Sequence, residues 1–387
     1  MEKIKWPKWP NYDEDDSEAV LRVIESNQLF AEKEVKSFED EFAQYIKVKN
    51  ALGVGNATQG LHLALAALNI GTGDEVITTP YSWISSASCI LMQNAVPVFT
   101  DIEESSLGIC PKSLEENITR RTKAIILVHL FGYPSQIDQI VEIANRYDLP
   151  IIEDASHAHG ASYKNKKIGS FGKISVFSLH QRKSLSVGDG GVVCTDDDDI
   201  ANKIYQLRSF GNEELSYNYR MTEFAGALGK VGLSKLDEYN DIRIKNAECL
   251  AYHLDSVEGI KVRLNLPNTK SVFYSLVLEL TFELGSKIDL IIEKANDFGL
   301  PLRKTWEPLN FHPHFNPINK PARGIPWRWE LYDGSYCKDK DYKDLVFPIA
   351  FEYCYNRIIE LSIHPPVNNE DIYFAALIIK NIINEYK

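Results

Sequence analysis

The chain has 387 residues, 44% hydrophobic and 25% charged, an ordinary globular balance with room for two or three domains or a large α/β domain and an appended smaller one. Its 54 acidic and 42 basic side chains leave a formal charge of -12, which argues against general nucleic-acid binding but leaves room for a local positive site that takes a small anion. The opening Met1 to Trp6 lacks an apolar signal core, and the most apolar stretch, Leu61 to Leu68, is interrupted by His62 and is too short to cross a membrane. Six scattered cysteines show no metal-ligand spacing, so reduced thiols, a cytoplasmic location and no metal are expected.

Short apolar runs alternate with helical patterns along the first half. Strands are expected at 51–54, 75–79, 96–100, 124–128, 151–153, 174–178 and 191–195, with helices near 58–68, 82–93, 113–118 and 136–147. This alternation predicts an α/β fold, a mainly parallel sheet covered on both faces. The first strand runs into Gly53-Val54-Gly55-Asn56-Ala57-Thr58-Gln59-Gly60, small residues that open a helix. Backbone amides at such a start form an anion site, although Thr58 as a plain helix cap fits equally well. Trp83 follows the second strand at the same sheet edge, placed to stack on a ligand ring or simply to fill core.

The fifth strand ends in Glu153-Asp154, which puts a carboxylate at the sheet edge where open α/β folds bind ligands. After the sixth strand comes His180-Gln181-Arg182-Lys183, then Gly188-Asp189-Gly190-Gly191 leading into the seventh. A turn lysine is usually just solvated. An aspartate and a lysine brought together at a sheet edge, however, are the pair that pyridoxal 5'-phosphate (PLP) chemistry requires: one for the ring nitrogen, one for the aldehyde. Further on, a helical pattern at 233–254 leads to a smaller mixed part with a strand near 272–280 and helices near 286–298 and 369–386. The expected division is a large domain of 1–240 with an N-terminal arm and a small α+β domain of 241–387. Between Arg303 and Phe347 lies a loop-like region rich in Pro, Trp, His and Tyr. There His312 and His314 could meet substrate hydroxyls or could be structural.

Together these stretches resemble the DegT/DnrJ/EryC1/StrS family of sugar aminotransferases over nearly the whole chain. The lysine followed after four residues by Gly-Asp-Gly-Gly matches the family at Lys183, and Glu153-Asp154-Ala155-Ser156-His157-Ala158-His159-Gly160 is similar to a second family run. The resemblance implies a fold-type I PLP transferase with a seven-stranded sheet. Lys183 would be the Schiff-base lysine, Asp154 would face the pyridine nitrogen, and His157, where the family more often has Gln, would approach the ring hydroxyl. Asn56, Ala57, Thr58 and Ser178 would hold the phosphate. Tyr217-Asn218-Tyr219-Arg220-Met221 resembles a segment that reaches into a second subunit's site, implying a homodimer with Asn218 on the partner's phosphate and Arg220 near substrate; a helix start with a salt-linked Arg220 is the structural alternative. Ile363-His364-Pro365-Pro366 resembles the family's late strand-to-helix signature.

The implied reaction moves an amino group from L-glutamate or L-glutamine to a ketosugar, with Lys183 as acid and base. Nucleotide-linked 3- or 4-keto-deoxyhexoses for lipopolysaccharide or secondary-metabolite sugars are the leading acceptors. Residues 342–352 also look like members that act on cyclitol or other non-nucleotide ketones. A PLP-dependent sugar dehydratase of the same fold would carry His in place of Lys183, and a non-catalytic sugar-binding protein would not need the Asp154–Lys183 pair.

Overall fold

The computed structural model describes all residues except 1–2, 31, 212–214, 316–325, 328–331, 335 and 338–340. Two amphipathic helices come first, α1 (Glu14–Ser26) and α2 (Lys33–Ile46). Helix α1 starts at a reciprocal cap in which Asp13 accepts from the Asp16 amide and Asp16 from the Asp13 amide, and it stops at Asn27 in the left-handed conformation. The sequence reading did not anticipate either helix.

The strands β1 (Asn50–Val54), β2 (Glu75–Thr78), β3 (Val96–Phe99), β4 (Thr122–Val128) and β5 (Ile151–Asp154) alternate with α3 (Ala57–Ala67), α4 (Ser85–Met92), α5 (Pro111–Glu116) and α6 (Ile137–Arg146). A small hairpin, β6 (Ser162–Tyr163) and β7 (Lys166–Lys167), precedes β8 (Ile174–Ser178), β9 (Gly191–Thr195) and α7 (Asp198–Leu207). The seven strands expected from the sequence form one seven-stranded sheet in the order β1-β9-β8-β5-β4-β2-β3. Strand β9 runs antiparallel to both of its neighbours, and the other six share one direction. The strands are short and almost wholly buried, as a sheet covered on both faces requires. The shared direction brings their carboxyl ends to one edge.

Helix α8 (Glu223–Leu254) runs for 32 residues. It begins ten residues before the expected start at 233, because Gly226 and Gly229 interrupt the apolar period. A Cβ on Gly226 would meet the Val35 backbone at 2.7 Å, so this start is shaped for close approach of α2 rather than for helix propensity. The boundary expected between residues 240 and 241 falls inside α8, which continues unbroken into the smaller part. There β10 (Ile260–Val262), β12 (Leu276–Leu280), β13 (Arg303–Lys304) and β14 (Ile358–Leu361) form an antiparallel sheet in the order β10-β12-β14-β13. Strand β11 (Thr269–Lys270) joins the β6–β7 hairpin. Helices α9 (Phe282–Gly285), α10 (Ile288–Asp297), α11 (Pro348–Glu352) and α12 (Asn369–Tyr386) complete this part. The strand expected from 272 begins only at Leu276, because Phe273 takes a left-handed φ of 49° and breaks the extended run.

The N-terminal arm ties the two parts together. Ile4 N–H donates to the Phe298 carbonyl and the Trp6 indole to the Ser362 carbonyl, both in the smaller part. The Trp9 indole donates to the Lys183 carbonyl at 3.0 Å, and the Tyr12 hydroxyl meets Ser186 Oγ at 3.0 Å, both in the large part. Among the described residues no helix is long and apolar enough to cross a membrane, and no acid, histidine or cysteine cluster could hold a metal.

Candidate active site

A cavity of about 420 Å³ opens at the carboxyl edge of the large sheet, the place where parallel sheets leave a crevice. Lys183 faces it from the β8–β9 connection. That connection is held by backbone bonds from Gln181 N–H to the Gly188 carbonyl and from Lys183 N–H to the His180 carbonyl, both 2.7 Å. Gly188 turns the chain at φ 94°, a conformation that glycine adopts at little cost. The Lys183 ammonium lies 4.6 Å from the centre of the Tyr274 ring. Burial lowers its pKa to about 7; Arg303 and Arg182 push the same way, while Asp154 and Glu360 oppose them. An amine so poised is largely neutral just above neutral pH.

Asp154 ends β5 and lines the same cavity. Its Oδ2 accepts from Ser86 Oγ at 2.6 Å, and Ser86 in turn meets Ser82 Oγ at 2.7 Å. Its neighbour Glu153 points to the opposite face, as alternation along a strand requires. There it accepts from the Gly169, Phe171 and Gly172 amides and pairs with His129. Burial alone would raise the Glu153 pKa, but His129 and these amides hold it below the ordinary value. Glu153 is therefore committed to structure, and Asp154 is the acid that serves the cavity.

His157 stacks on Tyr274, ring centres 4.1 Å apart. Its Nδ1 accepts from the Phe131 amide at 3.2 Å, so the ring proton sits on Nε2. Burial, then the charges of Lys183 and its neighbours, push its pKa well below the ordinary value, so the imidazole is neutral. Trp306 packs edge-on against Trp83 at 5.9 Å, and Trp83, 53% exposed, lines the cavity.

At the far side, Asn56 caps α3 by accepting from the Gln59 amide at 3.0 Å. The cap is therefore Asn56, and Thr58 is left to meet Ser85 Oγ at 2.7 Å. Ala57, Thr58, Ser85 and Ser178 line the cavity here. A Cβ at Gly191 would meet the Ala57 nitrogen at 2.8 Å, so only glycine in β9 allows this helix start so close to the sheet.

Not every expected residue lines the cavity of its own chain. Asn218 and Arg220 lie in an extended segment bridged to Ser209 and Val54, where Arg220 donates to Asn218 Oδ1 at 3.0 and 3.1 Å. Arg220 also covers the rings of Phe30 and Phe210. His312 and His314, which could meet substrate hydroxyls or be structural, are not among the residues that line this cavity. Tight turns after Pro308 and Pro313 put the two rings 4.4 Å apart and His312 against Phe315. Conversely, Ser86, Tyr274, Arg303, Trp306 and Glu360 line the cavity without having been anticipated. Ser86 comes from α4, Arg303 and Glu360 from the small sheet, and Tyr274 and Trp306 from the connections that flank its strands, where no motif marks them.

A lysine and an aspartate at the carboxyl edge of a seven-stranded sheet, with a smaller α+β part closing over them, define the fold-type I class of PLP transferases. The sequence profile of the DegT/DnrJ/EryC1/StrS aminotransferase family matches residues 10–376, and the chain belongs to that family. It is 33% identical to an L-glutamine:2-deoxy-scyllo-inosose aminotransferase of Streptomyces kanamyceticus, over 81% of this chain and 80% of that protein. It is also 33% identical to a GDP-perosamine synthase of Caulobacter vibrioides, over 79% and 85% respectively. Among solved structures, an aminotransferase from Psychrobacter cryohalolentis superposes with a TM-score of 0.87 at 28% identity, covering 98% of this chain and 99% of that one. The chain is an aminotransferase, and the enzymes of its family depend on PLP.

Proposed function

We propose that this aminotransferase carries PLP on Lys183 and moves an amino group from L-glutamate or L-glutamine to a ketosugar. The donor set fits the cofactor. The α3 start with Thr58, Ser85 and Ser178 suits a phosphate dianion, and Asp154 suits a protonated ring nitrogen. The neutral His157, with its proton on Nε2, suits the ring hydroxyl, and Trp83 suits a ring face. When bound, PLP supplies an aldehyde for amines and a sink for electrons released at the donor's α-carbon. Lys183 would hold the cofactor, and as a free amine its Nζ would move the proton at the donor's α-carbon. Trp306 and Tyr274 line the same cavity. The observation that carries this reading is the placement of Lys183 and Asp154 on one cavity at the carboxyl edge of the large sheet; burial, which lowers the Lys183 pKa to about 7, is consistent with it.

Relatives named for GDP-perosamine and for a dTDP-linked aminotrideoxyglucose support a nucleotide-linked ketosugar as acceptor. The inosose enzyme keeps a cyclitol ketone as the second reading. The exposed Asn218, with Phe30 and Phe210 packed around Arg220, supports a homodimer in which this segment completes the partner's phosphate site.

The test is the near-visible absorption of the purified enzyme. A bound-cofactor band should bleach on adding L-glutamate or L-glutamine and return with the correct ketosugar, and Lys183→Ala should lose turnover by at least about 1,000-fold, within the range that a positioned proton-transfer group contributes. A band that ignores both donors, or wild-type turnover by Lys183→Ala, contradicts the assignment.

A further inference from the structure

Two stretches that the proposed chemistry leaves unused, the N-terminal arm and the late Ile363-His364-Pro365-Pro366 signature, meet beside Lys183. The connection that carries the lysine, from Leu179 to Gly190, contains no helix or strand. Its ends are closed by its own backbone, with Leu179 N–H donating to the Gly190 carbonyl at 2.8 Å and Val187 N–H to the Leu179 carbonyl at 3.0 Å. The Lys183 carbonyl is bonded from outside the connection, by the indole N–H of Trp9 at 3.0 Å. Trp9 is half-buried. It lies flat on His364, ring centres 4.8 Å apart and 18° from parallel, and meets the Tyr239 ring of α8 edge-on at 5.8 Å.

His364 is itself fixed. It is buried, and its Nδ1 accepts from Arg243 Nη1 at 3.2 Å, which leaves the ring proton on Nε2. Arg243 is fully buried in α8, where Nε donates to the Val272 carbonyl at 3.1 Å and Nη2 to Asn240 Oδ1. Burial, then the charges of Arg243 and Arg303, hold the His364 pKa well below the ordinary value, so the ring is neutral. The Tyr274 ring also meets His364, at 6.0 Å, and lies 4.6 Å from the Lys183 ammonium. One neutral imidazole thus seats two rings that meet Lys183 at its two ends, Trp9 at the carbonyl and Tyr274 at Nζ.

We propose that Trp9, seated on His364, is a positioning residue that fixes the Lys183 backbone, so that Nζ returns to one place each time it is displaced. This rests on the proposed role of Lys183 as the cofactor and proton-transfer lysine. Nζ stands at the end of a flexible four-carbon stem, so its placement is only as firm as the backbone beneath it. Proton transfer needs heavy atoms within about 2.6–3.2 Å, and a misplacement of about 1 Å costs on the order of 100-fold in rate. The arm supplies its own comparison. The Trp6 indole makes the same kind of bond at the same 3.0 Å, but to the Ser362 carbonyl in the smaller part rather than to Lys183.

The test compares the wild type with Trp9→Phe, which keeps a ring on His364 and removes the N–H donor, and Trp6→Phe, which removes the matching bond elsewhere on the arm. In single-turnover assays of the donor half-reaction with L-glutamate, Trp9→Phe should lower the limiting rate by roughly 5- to 20-fold and leave the half-saturating concentration within about twofold. Trp6→Phe should keep the wild-type rate, although both variants lose similar stability in urea. In the cofactor-free enzyme the midpoint of Lys183 acylation is set by burial, with Arg303 and Arg182 on one side and Asp154 and Glu360 on the other. It should rise toward the ordinary lysine range in Trp9→Phe, as water enters the loosened connection, and stay in place in Trp6→Phe. In the wild type, which needs no variant to fold, hydrogen–deuterium exchange should show the peptides carrying Trp9 and Lys183 protected together when PLP is loaded. A Trp9→Phe enzyme with the wild-type limiting rate and acylation midpoint, equal losses in the two variants, or a Lys183 peptide protected without the Trp9 peptide would overturn the proposal. Absence of any cofactor band in the wild type would instead refute the reading of Lys183, and the acylation comparison, which uses no cofactor, would still decide the role of Trp9.

Discussion

Lys183 concentrates the residue-scale physics. Its amine leaves water, and the cost falls on the charged form, so it titrates near 7 rather than in the ordinary lysine range. A lowered lysine pKa means that the neutral, reactive form is already dominant just above pH 7. In the cofactor-free enzyme, acylation of Lys183 followed by mass spectrometry of its peptide should rise with pH and level off above about 7. Asp154 stabilises the ammonium, so Asp154→Asn should move that midpoint to lower pH. A midpoint in the range of free lysine, or a shift upward in the variant, would contradict the account. Lys183 and Asp154 were legible in the sequence because strand ends and a glycine-rich return place both at one edge. Arg303, Glu360 and Tyr274 were not legible, since their role comes from the small sheet meeting the large one, a contact that periodicity does not encode.

At the scale of elements, buried strands were readable almost to the residue, because each is a short apolar run between turn residues. Helices were readable where one face is apolar, and less so where packing replaced pattern. The start of α8 shows this. Thr222 caps it by accepting from the Ala225 amide, and its first residue, Glu223, is buried and accepts from the amides of Glu32, Glu34 and Val35 at 2.7, 2.7 and 3.1 Å. One carboxylate thus satisfies the otherwise orphaned donors at the start of α2 and lies at the positive end of that helix. Glu223→Gln keeps the shape but removes the charge and one acceptor, and should lower stability in urea unfolding by about 1–3 kcal/mol. A change below about 0.5 kcal/mol would show that water serves those amides equally well.

For the whole molecule, six co-directional strands set the architecture by gathering β5, β8 and the α3 start at one edge. The N-terminal arm and α8 then bind the smaller part over that edge, with Trp9 reaching the backbone of the very residue on which the chemistry is proposed to turn. The α/β class followed from alternation, and the helix leading into the smaller part was expected, while the order of strands and the start of that helix at Glu223 required the structure. Against a net charge of -12, the cavity lining balances Arg182, Lys183, Arg303 and Lys304 against Asp154, Asp189 and Glu360.

The most direct measurement is borohydride reduction of the purified holoenzyme, followed by proteolysis and mass mapping. Reduction should fix the cofactor covalently on the peptide carrying Lys183, with no comparable label on Lys304 or another lysine, and prior addition of the amino donor should abolish the label. A reduced cofactor on a different lysine, or none on a protein shown to be folded and PLP-loaded, would contradict the assignment from which the mechanism and the role of Trp9 are built.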